Sequence, residues 1–427
     1  VGMQPFGQDA DPSDIGKGLV GTLDAPTRIT APMVRKGWLD GRKGQRGKDS
    51  FVEVSWSDAL SLVADELSRV KAEQGNQGIF AGCYGWASAG RFHHAQSQIH
   101  RFMNCIGGYV KSVNTYSFAA AEVIIPHVLG DFRGFIYDQT SWQSICDDGG
   151  LFVGFGGLPL KNAQINQGGT GGHVQKGFVA KAHRAGVEFV NISPLAADMP
   201  DSVKSDWLAI RPNTDTALML GLCYTLLDEG LQDSDFLDRY CTGFDVFATY
   251  LHGTEDGCTK SADWAADICG LPADDIRNLA RRMAGTRTMI SLSWSLTRQA
   301  HGEQPMWAGI VLSAMLGQIG LPGGGIGIGY SAVNRVGYDL NRVSFASVPQ
   351  GINAVKEFIP VARIADMLLQ PGSPFDYNGG CYSYPDIQLI YWAGGNPFHH
   401  HQDLSRLIQA WQKPQTVISH EWCWNAL

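Results

Sequence analysis

None of the nine cysteines in this 427-residue chain stands in a C-x-x-C; they are scattered as Cys83, Cys105, Cys146, Cys223, Cys241, Cys258, Cys269, Cys381 and Cys423. That spacing argues against a zinc ribbon or an iron–sulfur cluster built from this chain. An odd, dispersed set reads as free thiols and favours a reducing compartment, so action in the cytoplasm is expected. There is no apolar run of about 18 residues, hence no expected membrane span. There is no secretory leader pattern either, but Val1 is not a start methionine, and a preceding segment is expected. Charge is scarce: 17% of residues are charged and the net charge is −8, which speaks against a general nucleic-acid surface. Local anion sites made of backbone N–H groups remain open. No strand-led G-x-G-x-x-G opens a helix. The glycine run Gly323–Gly329 follows an apolar helical stretch, Met306–Ile319, which disfavours an NAD-dependent dehydrogenase.

What is present is a large apolar fraction, 44%, in a chain too long for one core, so two or more domains are expected. Residues 1–50 are polar and rich in Gly, Pro, Lys and Arg, and read as a surface or wrapping segment. Ser57 is expected to cap a helix running on from Asp58, Gly78–Ala81 to form a buried strand, and Arg91–Asn104 to form a helix. From residue 150 on, short apolar strands (Leu151–Phe155, Val187–Ile192, Thr288–Leu292, Thr416–Ile418) alternate with helical stretches (Lys176–Ala185, one capped at Thr214, Asp274–Ala284). This alternation predicts parallel sheets with helices on both faces, an α/β fold. One internal repeat stands out: Leu151–Leu160 aligns without gaps to Leu389–Phe398, each an apolar strand followed by Gly-Gly-x-Pro. Such a turn sits where α/β sheets bind nucleotides, and two copies suggest two related sites; two ordinary strand–turn units are the competing explanation.

The chemistry-bearing segments are Tyr84-Gly85-Trp86, ending an apolar run, and Asn114-Thr115-Tyr116-Ser117. A phenol O–H, an indole N–H and a hydroxyl suit a site that binds an oxo group. By itself a serine after a tyrosine carries almost no signal, and lone aromatics usually belong to a core. Taken together, Tyr84-Gly-Trp-Ala-Ser-Ala-Gly-Arg-Phe-His-His and Tyr116-Ser-Phe-Ala-Ala-Ala-Glu-Val-Ile-Ile-Pro-His-Val resemble the dimethyl sulfoxide reductase family of molybdenum enzymes, with the biotin sulfoxide and methionine sulfoxide reductase branch the nearest. Gly302-Glu-Gln-Pro-Met-Trp307 and Gly394-Gly-Asn-Pro-Phe-His-His-His401 extend the resemblance over nearly the whole chain.

The resemblance implies molybdenum held by bis(molybdopterin guanine dinucleotide), with Ser117 as the metal's oxygen ligand and Tyr84 and Trp86 as donors to the substrate oxygen. Tyrosine at 84 leans toward S-oxides over trimethylamine N-oxide. Phe118 departs from the small residue usual in relatives and is expected to crowd the pocket. Cofactor contacts are expected from Gly156 and, because Leu158 replaces a usual polar residue, from Lys161 and Asn162. Ser193 and Asn213 are expected to contact the cofactor as well, and Asp215 to accept from guanine; Thr214 and Asp215 also read as a helix N-cap, and the two roles are compatible. Trp294 and Arg298 are expected near a pterin or its phosphates, and Asn396, His400 and Ser419 at the second nucleotide. Three adjacent histidines, His399–His401, point in different directions and argue against a separate metal site.

The fold implied is two Rossmann-like parallel-sheet lobes plus part of an N-terminal wrapping domain. Residues 1–50 make up the last; 51–140 and 326–427 form a discontinuous first lobe, with 141–325 inserted as the second. Relatives begin earlier and run far past Leu427, so this stretch alone is not expected to hold the metal tightly. The activity implied is two-electron reduction of an S-oxide by oxygen-atom transfer to molybdenum(IV), by a monomer fed from an external electron donor. The alternatives are a periplasmic dimethyl sulfoxide or trimethylamine N-oxide respiratory reductase, and a metal-free structural relative, against which the joint presence of Tyr84, Trp86 and Ser117 speaks.

Overall fold

The computed structural model describes residues 2–42, 45–83, 91–165, 172–338 and 346–424. Eight strands build its two parallel sheets: β1 (Ile79–Gly82), β2 (Leu151–Phe155), β3 (Glu188–Ile192), β4 (Ser205–Leu208), β5 (Thr288–Leu292), β6 (Gly325–Ile328), β7 (Leu389–Ala393) and β8 (Thr416–His420). The larger sheet runs β4-β3-β2-β5-β6, the smaller β8-β7-β1. In the larger sheet the strand order reverses between β2 and β5, and a crevice opens beyond the carboxyl ends of strands at such a point.

Both repeat strands, β2 and β7, are central and buried along their whole length. In β7 the period of two is explicit. Leu389, Tyr391 and Ala393 join Ile79, Val70 and Met103 on one face, while Ile390 and Trp392 join Phe80, Leu407 and Trp411 on the other. A strand covered on both faces reads as a continuous apolar run, which is why periodicity alone did not reveal its sides. Around the larger sheet one core takes in β2, β3 and β5 together with helices Asp215–Asp228, Ala273–Gly285 and Glu303–Met315.

The sequence expectations differ in detail. The helix Trp56–Gln74 is capped by Ser55, not Ser57: the Ser55 hydroxyl accepts from Asp58 N–H and its backbone is extended, whereas Ser57 already lies in the first turn. Arg91–Asn104 is a short 3-10 turn, Arg91–His93, and then a helix, Ala95–Cys105. Of the glycine run, Gly325 and Gly327 lie in β6, all of which pairs in the larger sheet, so the boundary expected between 325 and 326 falls inside a strand. The Ala119–Leu129 helix, expected with the first lobe, buries Ala121 and Ile125 in the core of the larger sheet.

The segment before residue 50 ties to the smaller sheet. Trp38 Nε1 donates to Thr416 Oγ1 (3.1 Å), the buried Glu66 carboxylate pairs with Arg42 and Arg69, and Arg46 donates to the carbonyls of Trp411 and Pro414. None of the nine cysteines forms a disulfide. Among the described residues no helix is long and apolar enough to cross a membrane, and no group of three or more His, Cys, Asp or Glu is placed to hold a metal ion.

Candidate active site

Ser117 stands on the crossover between the two sheets. Strand Lys111–Val113 pairs with Phe358–Pro360, and Val110 bridges Phe80 in β1. The chain then turns at Asn114, in the left-handed region (φ 64°), and enters the Ala119–Leu129 helix, which packs into the other core. The Ser117 carbonyl accepts from Arg298 Nε (3.3 Å), and its N–H donates to Thr115 Oγ1 (3.4 Å). A cavity of about 1100 Å³ opens here, lined by Ser117, Trp294, Arg298 and His400. β1 delivers Gly82 and Cys83 to the same cavity; Tyr84 and Trp86, next along the chain, lie outside the described residues. Phe118 is buried against Trp294 (ring centroids 4.4 Å) and Phe132 (5.5 Å), and so forms part of the wall.

The cavity is electropositive. Lys111, Arg133, Arg298 and Arg335 line it, with Glu122 the acidic residue among its lining. Burial, followed by the neighbouring His399 and Arg298, holds the His400 imidazole below its ordinary value. Burial pushes the Tyr116 phenol up; its O–H donates to Gln402 Oε1 (3.1 Å). Lys111, Arg133, Arg335, Glu122 and Tyr116 were not foreseen from sequence. Each is an ordinary polar residue in its local context, and only the packing of distant segments turns them toward one space.

The remaining predicted residues occupy the carboxyl edges of the sheets. After β2, Gly156 and Gly157 both have positive φ (85° and 71°). A Cβ on Gly156 would lie 2.5 Å from Ser293 Cβ, and one on Gly157 would lie 2.5 Å from Asp198. The turn's own N–H groups are used internally: Gly156 N–H donates to Ile192 O, Gly157 N–H to Gly154 O and Leu158 N–H to Asp198 O. The glycines are thus required by close approach, and the turn does not present free N–H donors. Lys161 is exposed on the turn Leu160–Gln164, and Asn162 Nδ2 donates to Ser331 O (3.1 Å). The Ser193 hydroxyl donates to Asp198 (2.6 Å), while Asn191 Oδ1, two residues earlier, is buried with no partner among the described residues.

Beyond β4, Asn213 is left-handed (φ 66°) and Asp215 opens the helix Asp215–Asp228. The Thr214 hydroxyl donates back to Arg211 O (2.7 Å) and does not cap it. Asp215 is 4% exposed, and desolvation pushes its carboxyl up to about 6, with only its own N–H pulling the other way. At the smaller sheet, Asn396 Oδ1 accepts from Phe398 N–H (2.9 Å), leaving its buried Nδ2 with no partner among the described residues. Ser419 is exposed and donates to Glu421 (3.1 Å). The buried Trp294 Nε1 also has no partner among the described residues. One cavity therefore gathers Ser117, Trp294, Arg298 and His400. Gly156, Lys161, Asn162, Ser193, Asn213, Asp215, Asn396 and Ser419 stand outside its lining.

Comparison with known proteins gives a consistent picture. Residues 28–426 match the family model described as molybdopterin oxidoreductase. A biotin sulfoxide reductase of Cereibacter sphaeroides is 46% identical over 422 residues, 98% of this chain and 57% of that protein. A dimethyl sulfoxide/trimethylamine N-oxide reductase of the same organism is 42% identical over 441 residues, 100% of this chain and 53% of that protein. The chain therefore spans about half the length of these curated relatives. Among solved structures, acetylene hydratase from Pelobacter acetylenicus superposes with a TM-score of 0.58 at 15% identity, covering 98% of this chain and 56% of that one, a likeness of fold.

Proposed function

This chain belongs to the molybdopterin oxidoreductase family, and from that premise we propose that it forms part of a reductase of S-oxides, of the biotin sulfoxide or methionine sulfoxide type. The observation that carries the reading is the convergence of Ser117 with Trp294, Arg298 and His400 on one electropositive cavity between two sheets. The family's cofactor is a molybdenum–molybdopterin group, and the residues present fit it. Two buried donors, Trp294 Nε1 and Asn396 Nδ2, and one buried acceptor, Asn191 Oδ1, lack protein partners among the described residues. Buried polar atoms are ordinarily satisfied, so these three mark places for a polar ligand. Four cationic side chains suit its phosphates.

We extend this to the bis(guanine dinucleotide) form. Asp215, a buried carboxyl at a helix start, has the two oxygens needed to accept together from the ring N–H and amine of a guanine. Asn396 and His400 serve the second nucleotide. Bound there, the molybdenum centre supplies two-electron oxygen-atom transfer. Ser117 Oγ provides a hard oxygen ligand, Arg298 holds the Ser117 carbonyl in place, and Tyr84 and Trp86 donate to the sulfoxide oxygen. Each such donor is worth about 2–4 kcal/mol of barrier when preorganised. An external electron donor, action as a monomer and a cytoplasmic location complete the proposal.

Two experiments test it. The full-length parent protein, purified without oxygen, should carry about one molybdenum per chain by elemental mass spectrometry; none, where a known relative loads fully, returns the chain to a metal-free role. Ser117→Ala should remove most turnover of methionine or biotin sulfoxide with the fold intact. Activity within a few fold of the parent would show that Ser117 is not the ligand. A substrate panel that turned over trimethylamine N-oxide in preference would move the assignment toward the second named relative.

A further inference from the structure

Among the described residues Glu122 is the one acidic side chain lining the cavity, and neither the sequence patterns nor the proposed chemistry uses it. It lies in the first turn of the Ala119–Leu129 helix. A carboxylate there already favours the helix dipole, which is the plain structural explanation for it. Its hydrogen bonds go further than that. Glu122 Oε2 accepts from Thr115 N–H (2.9 Å), outside the helix, and the Asn114 amide donates to the same carboxyl. Asn114 is gripped from its other side by Tyr377, whose O–H donates to Asn114 Oδ1 (2.6 Å). Asn114 has φ 64°, a backbone state that costs of order 1 kcal/mol outside glycine and persists where the surroundings over-determine it. Thr115 Oγ1 in turn accepts from Ser117 N–H (3.4 Å). Arg133 lies close enough to offset the charge of the half-buried carboxylate, which burial pushes toward its neutral form.

We propose that Glu122 is a positioning residue that fixes the Asn114–Ser117 loop, and with it the direction in which Ser117 presents its hydroxyl to the cavity. This rests on the reading of Ser117 as the metal ligand. A first ligand must be held to about half an ångström, and a side chain on a packed helix that binds two consecutive loop residues supplies that restraint.

The test uses the full-length, molybdenum-loaded enzyme with three variants, Glu122→Ala, Glu122→Gln and Ser117→Ala. Turnover, KM, metal content and the paramagnetic resonance of the singly reduced molybdenum are read for each. Glu122→Ala should lower kcat about tenfold or more with KM within about twofold, because the loop acts on the reacting geometry and not on substrate affinity. Metal content should hold and the resonance should shift. Glu122→Gln keeps an acceptor for Thr115 N–H and should recover kcat to within about threefold of the parent. The proposal is overturned if Glu122→Ala keeps parental kcat and resonance while Ser117→Ala loses turnover, or if Glu122→Gln is as impaired as Glu122→Ala. Persistence of activity in Ser117→Ala sinks the ligand reading instead, so the two failures are distinguishable. Should Glu122→Ala not fold, Tyr377→Phe removes the opposite hold on Asn114 and should shift the same resonance; an unshifted signal counts against the proposal.

Discussion

The two strand–Gly-Gly-x-Pro turns share a backbone and differ in what closes them. After β2 the turn is sealed by main chain: its three N–H groups pair with Ile192, Gly154 and Asp198 carbonyls, and Leu158, wholly buried, fills the space beneath. After β7 it is sealed by side chains: Trp392 Nε1 donates to Gly395 O (2.8 Å), Asn396 Oδ1 accepts from Phe398 N–H, and Asn396 Nδ2 is left over. One residue, Leu158 against Asn396, separates a packing turn from one that keeps a polar group in reserve. A repeated backbone motif therefore marks where a ligand can come, while the variable position decides which atoms meet it. The ionisable groups diverge as well. Beyond the larger sheet Asp215 is pushed up by burial, while burial pushes His401 and His420 down by the smaller one.

Exchanging the variable residue should break the comparison most severely in one direction. Leu158→Asn places an amide where no partner waits and removes a packed side chain, and should cost about 3–5 kcal/mol by denaturant unfolding. Gly156→Ala forces a side chain into the left-handed region against Ser293, and should cost about 2–4 kcal/mol; a near-neutral result would mean that the β2 turn is not held by close approach. Asp215→Asn sharpens the electrostatic difference. With a carboxyl raised from 3.8 to about 6, the folded state is fully favoured below the unfolded value and loses stability as pH rises through 6. The variant should therefore gain up to about 3 kcal/mol over the parent above pH 6 in cofactor-free protein, and nothing below pH 4. A gain independent of pH would show that the burial of this carboxyl is not the cause. The smallest effect is expected from Asn396→Leu, which loses one cap bond worth about 1 kcal/mol. Its larger consequence should be a loss of bound nucleotide, measured as guanine released on denaturing the loaded enzyme.

Several readings could be made before any fold was known because they rest on local chemistry. Strands β2, β5 and β8 declared themselves by short apolar runs between turn residues, and the aligned repeat named both central strands. The placement of Ser117 was legible only as a pattern. Nothing local distinguishes that hydroxyl from any other, and its setting depends on Arg298, 181 residues further on. The Ser57 assignment failed because two serines flank the same helix start, and backbone direction, not residue type, decides which one caps. The Ser193 hydroxyl donates to Asp198, a partner brought close only by the turn that follows it and not legible from the strand alone.

By itself the sequence determined the α/β class and the two glycine turns, because strand burial and tight turns are local properties of the chain. The tertiary structure alone decided that Lys111, Arg133, Arg298 and Arg335 share one cavity with Glu122, that Asp215 is stripped of water, and that Asn396 and Trp294 keep donors unspent. Those are properties of space between segments. Charge, desolvation and hydrogen-bond satisfaction depend on what lies across a gap, and chain order does not record it.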